Sequence, residues 1–238
     1  MRSVSFLVMV LLVSLCTGAD AGLFDTIKEQ VGLSANQPLD EDTIVSGLKE
    51  ALSIGTEKAV RSVSQVDGYL GNEAIKILMP EKIEKVADIL GKVGYEQQVE
   101  NFVASMNRAA EMAAPEAASI FGSAIKEMTL ADARGILDGG ATAATDYFKA
   151  KTSGAIYETF KPIVSSTMND VGVTRSYKEM MHQYTSLPFM KSESLDLDHY
   201  VTDKALHGLF YMLGQEEKKI RANPADRVTD LLKRVFGG

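Results

Sequence analysis

The sequence predicts an all-α protein: a single compact domain of about nine helices that follows a cleaved export signal. Three observations predict this. Apolar residues recur at three- and four-residue spacing along most of the chain, which is the period of one helix face. No alternating run of β-branched residues competes with that period. Proline, glycine and the pairs Asp67-Gly68 and Asn223-Pro224 fall where the periodic stretches end, as helix punctuation should. With 238 residues, 45% hydrophobic and 24% charged, the composition excludes collagen-like, low-complexity and disordered classes. Asp+Glu 32 against Lys+Arg 25, a net charge of −7, argues against nucleic acid as a partner. One cysteine and three histidines exclude a disulfide framework and leave little for a metal site, so no metal and no cofactor is expected.

Residues 1–21 read as the signal peptide. Arg2 supplies the positive start, Phe6 to Leu15 is apolar except for Ser14, and Ala19-Asp20-Ala21 offers a small-residue cleavage site before Gly22. Ten residues fall short of the roughly 20 needed to span a bilayer, and no later stretch approaches that length. Bulky Leu15 ahead of Cys16 argues against a lipoprotein. Cleavage between Ala21 and Gly22 leaves a cysteine-free chain, periplasmic or secreted, that its core alone must hold together. In the N-terminal segment 22–39, Leu23, Phe24, Ile27 and Val31 make an apolar face. Lys28 is opposed there by Asp25 and Glu29, so attraction to a membrane surface is weak. Residues 40–238 form the helical domain.

The first helix is expected over about 40–66, carrying Ile44, Leu48, Leu52, Gly55, Ala59, Val63 and Val66 on one face. Asp40 and Asp42 are its candidate caps and Asp67-Gly68 its stop. A turn-rich stretch to Met79 follows, and Pro80 opens the next helix at its favoured first position. That helix carries Ile83, Val86, Ala87 and Leu90 and ends near Gly94. Another starts at about Tyr95 and runs through Val99, Phe102, Met106 and Ala110 until Pro115 breaks or kinks it. The period resumes through Ala117, Phe121, Ala124 and Met128. Thr129 to Asp132 reads as a capping signal for a short helix closed by Asp138-Gly139-Gly140. Further helices are expected over 142–151, 154–171, 174–186, 197–221 and 225–236, with Gly172, Pro188 and Asn223-Pro224 between them. The 197–221 helix is apolar on most of its circumference and should lie centrally. Leu231, Leu232, Val235 and Phe236 should fold back onto the core.

Several strings taken together carry a family resemblance: Gly47-Leu48-Lys49-Glu50-Ala51-Leu52, Met106-Asn107-Arg108-Ala109-Ala110-Glu111, Ala113-Ala114-Pro115, and Asp132-Ala133 with Ile136-Leu137 and Gly139-Gly140. Ala143-Ala144-Thr145 continues the series, and Gly208-Leu209-Phe210, Glu216-Glu217, Ile220-Arg221 and Asn223-Pro224 close it. The chain resembles a bacterial exported family catalogued as domain of unknown function four-one-nine-seven. The resemblance implies a helical, signal-bearing protein and supplies no activity and no catalytic residue.

Two constellations invite a chemical reading. His199, Asp203 and His207 form a stripe at four-residue spacing that continues to Gly214, Glu217 and Arg221. His199 and His207 lie about 12 Å apart along a helix, too far to share an ion easily, so a solvent-facing polar strip is the preferred reading. Asn107, Arg108 and Glu111 lie among Ala109, Ala110, Ala113 and Ala114, where close helix approach can bury them and demands partners. Meeting Glu217, Arg221 or Arg227, they would make a polar ligand-binding centre; meeting other groups, a structural network. Gly139-Gly140 lacks the lysine of a phosphate loop, and Ser64, Ser119 and Ser123 lack nucleophile-elbow context. Interleaved acids and bases over 216–236 read as a solvated face. The expected function is a non-enzymatic cell-envelope module that binds a partner protein or a lipid-like apolar ligand. An interior with Met 11 suits adaptable packing. The alternative is an enzyme built on the Arg/Glu cluster in a helical pocket.

Overall fold

Two long helices flank the last described one. A computed structural model describes residues 41–92, 94–170, 173–186 and 195–222. The expected signal over 1–21 with Cys16, the expected cleavage position at Ala21 and Gly22, segment 22–39, Asp40, Gly172, Pro188, Asn223-Pro224, Arg227 and the helix expected over 225–236 lie outside the described residues. The elements are α1 (Glu41–Ser64), α2 (Glu81–Lys92), α3 (Glu96–Ala113), a 3-10 turn (Ala114–Glu116), α4 (Ala117–Glu127), α5 (Leu130–Leu137), α6 (Ala143–Asp170), α7 (Val173–Ser186) and α8 (Leu197–Ala222). All regular structure among the described residues is helical, so the fold is all-α.

Helix α8 is central, as its apolar circumference predicts. It packs along α1 on one side and α6 on the other, with α3 also touching it. Val201, Ala205, Leu209, Phe210 and Leu213 are buried along it. Phe121 of α4 meets Phe148 of α6 edge-on at 5.1 Å and Phe210 of α8 at 6.1 Å between ring centres. These rings join three helices, and such pairs add about 0.5–1.5 kcal/mol beyond their burial. Helices α2, α3 and α7 pack on one another, with Phe102 against Tyr177 at 5.9 Å.

Local chemistry ends several helices as the sequence predicts. Pro115 sits in the 3-10 turn that bends α3 into α4. Thr129 and Asp132 form a reciprocal capping box on α5. Gly94, at φ 94°, ends α2 with Tyr95 N–H donating to Leu90 C=O and Gly94 N–H to Gly91 C=O, a Schellman closure.

Several expectations are corrected. The helices expected over 142–151 and 154–171 are one, α6. Phe148, Thr152, Ile156, Phe160 and Val164 make one unbroken buried stripe, and Thr152 satisfies its hydroxyl on Phe148 C=O at 2.6 Å. Gly154 therefore does not interrupt, and burial on both sides of Pro162 outweighs its missing donor. The first helix stops at Ser64, two residues early, because Asp67 takes φ 62°. Val66 is then 73% exposed and not part of the apolar face. Asp42 lies inside the first turn of α1, not at its cap, and Pro80 precedes α2 instead of opening it. The polar stripe of α8 faces solvent only over His199, Asp203 and His207; Gly214 and Glu217 turn inward and are buried.

Candidate functional site

Residues 65–79 carry no regular helix, yet Tyr69, Ile75 and Ile77 are buried. A buried irregular segment must find partners for its backbone, and α3 supplies them. Glu111 accepts through one oxygen from Tyr69 N–H at 3.1 Å and Leu70 N–H at 3.3 Å, and through the other from the Arg108 guanidinium. Arg108 also reaches Asp67 at 3.3 Å. One turn earlier, Asn107 pairs with both sides of Ile77, accepting from its N–H and donating to its C=O, each at 2.8 Å. Its amide also donates to Val103 C=O at 2.8 Å. The segment is thus strapped across α3 by the residues at positions 107, 108 and 111, which share one face.

The strap also lies on α8. The Tyr69 hydroxyl donates to Ala205 C=O at 2.7 Å, and Tyr200 donates to Leu78 C=O at 3.0 Å. Complete burial, with the Glu111 charge beside it, pushes the Tyr69 phenol far above the usual tyrosine range. Gly208 makes the approach possible: a Cβ there would stand 2.5 Å from the Tyr69 ring and 3.2 Å from Ile75.

A second polar centre lies where α8 meets α5 and α6. Glu217 caps the start of α6, accepting from Ala144 N–H at 2.9 Å and from both the N–H and the hydroxyl of Thr145 at 2.8 Å. Arg221, one turn on, donates to Glu217 at 3.0 Å and to Ile136 C=O near the end of α5 at 2.7 Å. The carboxylate sits where the helix dipole favours negative charge, and the guanidinium where carbonyls end a helix. Asn107, Arg108 and Glu111 come together, and Glu217 and Arg221 come together, but as two centres: among the described residues Glu111 and Glu217 share no partner.

Beside the second centre is a crevice between α1, α5, α6 and α8, with about 30 Å³ of internal space, on the order of one or two waters. Leu48, Leu52, Leu213 and Ile220 make its walls, and Glu217 and Arg221 close one end. Toward the start of α8, His199 is linked to Tyr157 of α6 at 2.7 Å and to Asp203 at 3.1 Å. His207 is exposed one turn beyond. Among the described residues no three His, Cys, Asp or Glu side chains are grouped to hold a metal ion. No described helix is long and apolar enough to cross a membrane.

The chain matches, over residues 38–237, the family described as "Protein of unknown function (DUF4197)". It belongs to that family. No curated protein and no solved structure matched the chain. The DUF4197 match begins just before α1 and runs through the last apolar residues of the sequence, so both polar centres and the crevice lie within the family's domain. Sequence reasoning missed Tyr69, Thr145 and the crevice. Gly208, in the middle of a periodic helix, was the signal for a close approach there.

Proposed function

We propose that this DUF4197 protein is an exported cell-envelope module that binds an apolar ligand, or apolar side chains of a partner protein, between its helices and performs no catalysis. The observation that carries this reading is the chemistry of the crevice. Its walls are leucine and isoleucine, and its polar pair, Glu217 and Arg221, is already engaged with the backbone of α5 and α6. Such a surface offers shape and apolar contact, with a fixed polar end to orient what enters. The export half of the proposal rests on residues 1–21, with cleavage between Ala21 and Gly22 delivering the protein to the periplasm or beyond.

The space available suits one small apolar group at a time. Solvent extraction of protein purified from its source, followed by mass spectrometry of the extract, tests the reading. The wild type is expected to release an apolar compound or to co-purify with a partner that Leu52→Asp loses. Equal recovery from both proteins would sink the crevice as the binding element.

A further inference from the structure

The sequence contains two Asp-Gly pairs, Asp67-Gly68 and Asp138-Gly139, and no Asn-Gly pair. In such a pair the glycine nitrogen can attack the aspartate side-chain carboxyl, because no Cβ shields it. The fold treats the two pairs differently. At the first, Gly68 is buried and its N–H donates to Gln65 C=O at 2.9 Å. The Asp67 carboxylate is held by Arg108 at 3.3 Å. Three carbonyl oxygens lie within 2.9 Å of where a Gly68 Cβ would stand, so that backbone has no room to turn. The second pair lies exposed in the link between α5 and α6. Asp138 N–H donates to Arg134 C=O at 2.9 Å. Among the described residues, however, nothing pairs with the Asp138 carboxyl, and Gly139 N–H donates to no carbonyl. The path of the link requires glycine here, since a Cβ at 139 would stand 2.5 Å from the Ala143 Cβ. Packing against α6 thus keeps an open Asp-Gly pair at the surface.

We propose that Asp138-Gly139 is a spontaneous modification site, at which the chain converts to an isoaspartyl link. The Asp138 ψ of −10° first turns to bring Gly139 N against Asp138 Cγ, a local opening of the kind that helix ends undergo. The N–Cγ bond forms, and the amide hydrogen and the carboxyl hydroxyl leave as water. Water then adds back across one of the two ring carbonyls. Opening at the side-chain carbonyl restores aspartate. Opening at the main-chain carbonyl leaves the chain running through the side chain, one methylene longer, with a free α-carboxylate. The reaction is an isomerisation and needs no co-reactant beyond solvent. Its position gives it a consequence. The link joins Ile136, whose C=O accepts from Arg221, to Ala144 and Thr145, whose N–H groups donate to Glu217. An added methylene changes the span that Glu217 and Arg221 bridge, so isomerisation loosens the second polar centre. The proposal stands without the binding reading above.

The test needs no variant. The full chain is aged at mildly acidic pH in buffer and, in parallel, in concentrated urea, where both Asp-Gly pairs are free. Peptide mapping with electron-transfer fragmentation then reads isoaspartate at 67 and at 138. The ratio of isoaspartate at 138 to that at 67 is expected to be several-fold larger in the native protein than in urea. A native ratio no larger than the unfolded one, or no isoaspartate at 138, overturns the proposal. In the aged native sample, isoaspartyl molecules are expected to exchange the Ala144 and Thr145 amides several-fold faster than unmodified ones. Equal exchange in the two would contradict the loosening.

Discussion

Glu111 is a carboxyl side chain only 2% exposed, one oxygen accepting from the Tyr69 and Leu70 N–H groups and the other from Arg108. Truncation to alanine leaves the buried Tyr69 N–H and the half-buried Leu70 N–H without this acceptor, while Arg108 keeps Asp67. Leaving a buried donor without its acceptor costs about 1–3 kcal/mol, and Arg108, a third exposed, can meet water, so Glu111→Ala should lower urea-unfolding stability by roughly that amount, and more than Glu57→Ala in the exposed Glu57–Arg61 pair of α1. Tyr69 supplies a pH signature. Its phenol is held above the ordinary value in the folded state, so its contribution is complete below about pH 10. That contribution is lost as pH rises from there toward the folded value. Alkaline titration of stability should fall less steeply in Tyr69→Phe than in the wild type. Asp132 has the opposite sign. The Thr129 hydroxyl and N–H hold its carboxyl below the usual range, so its contribution is present above about pH 4 and fades as pH falls through the folded value. Asp132→Asn should flatten the acid limb. At this scale the sequence exposed half of each centre. Asn107, Arg108 and Glu111 were legible because alanines surround them. Their partners at 67–77 were not, because nothing in a turn-rich stretch says which helix it crosses.

The elements are held by what each lends another. Glu217 of α8 caps the start of α6, where Thr142, the residue ahead of the helix, turns its hydroxyl to Asp146. Glu217→Ala should therefore release the first turn of α6, seen as faster amide exchange at Ala144 and Thr145, with exchange late in α6 unchanged unless the domain melts. Gly208→Ala tests the strap from the other side. Its Cβ would press on the Tyr69 ring, and overpacking of this kind costs about 1–3 kcal/mol. Tyr69→Leu in the same chain should recover part of that loss. The capping box of α5 was readable because its two residues are three apart and act on their own backbone. The unity of α6 was not: Thr152, Ser153 and Gly154 look like a break until the buried stripe on either side outweighs their propensity.

For the whole molecule, the helical period foretold the class, the central place of α8 and the kink at Pro115, because each follows from spacing along one chain. It foretold neither the crevice nor the division of the polar residues into two centres, which depend on how far apart α3 and the end of α8 come to lie. The central claim, that this is an exported protein which binds and does not catalyse, meets its most direct test in native mass spectrometry of protein taken from the periplasm of its source. The account predicts a chain beginning at Gly22 that carries an apolar adduct or a bound partner, released when Leu52 is replaced by aspartate. A chain that is repeatedly bare, or one that retains Met1 or carries lipid on Cys16, would contradict it.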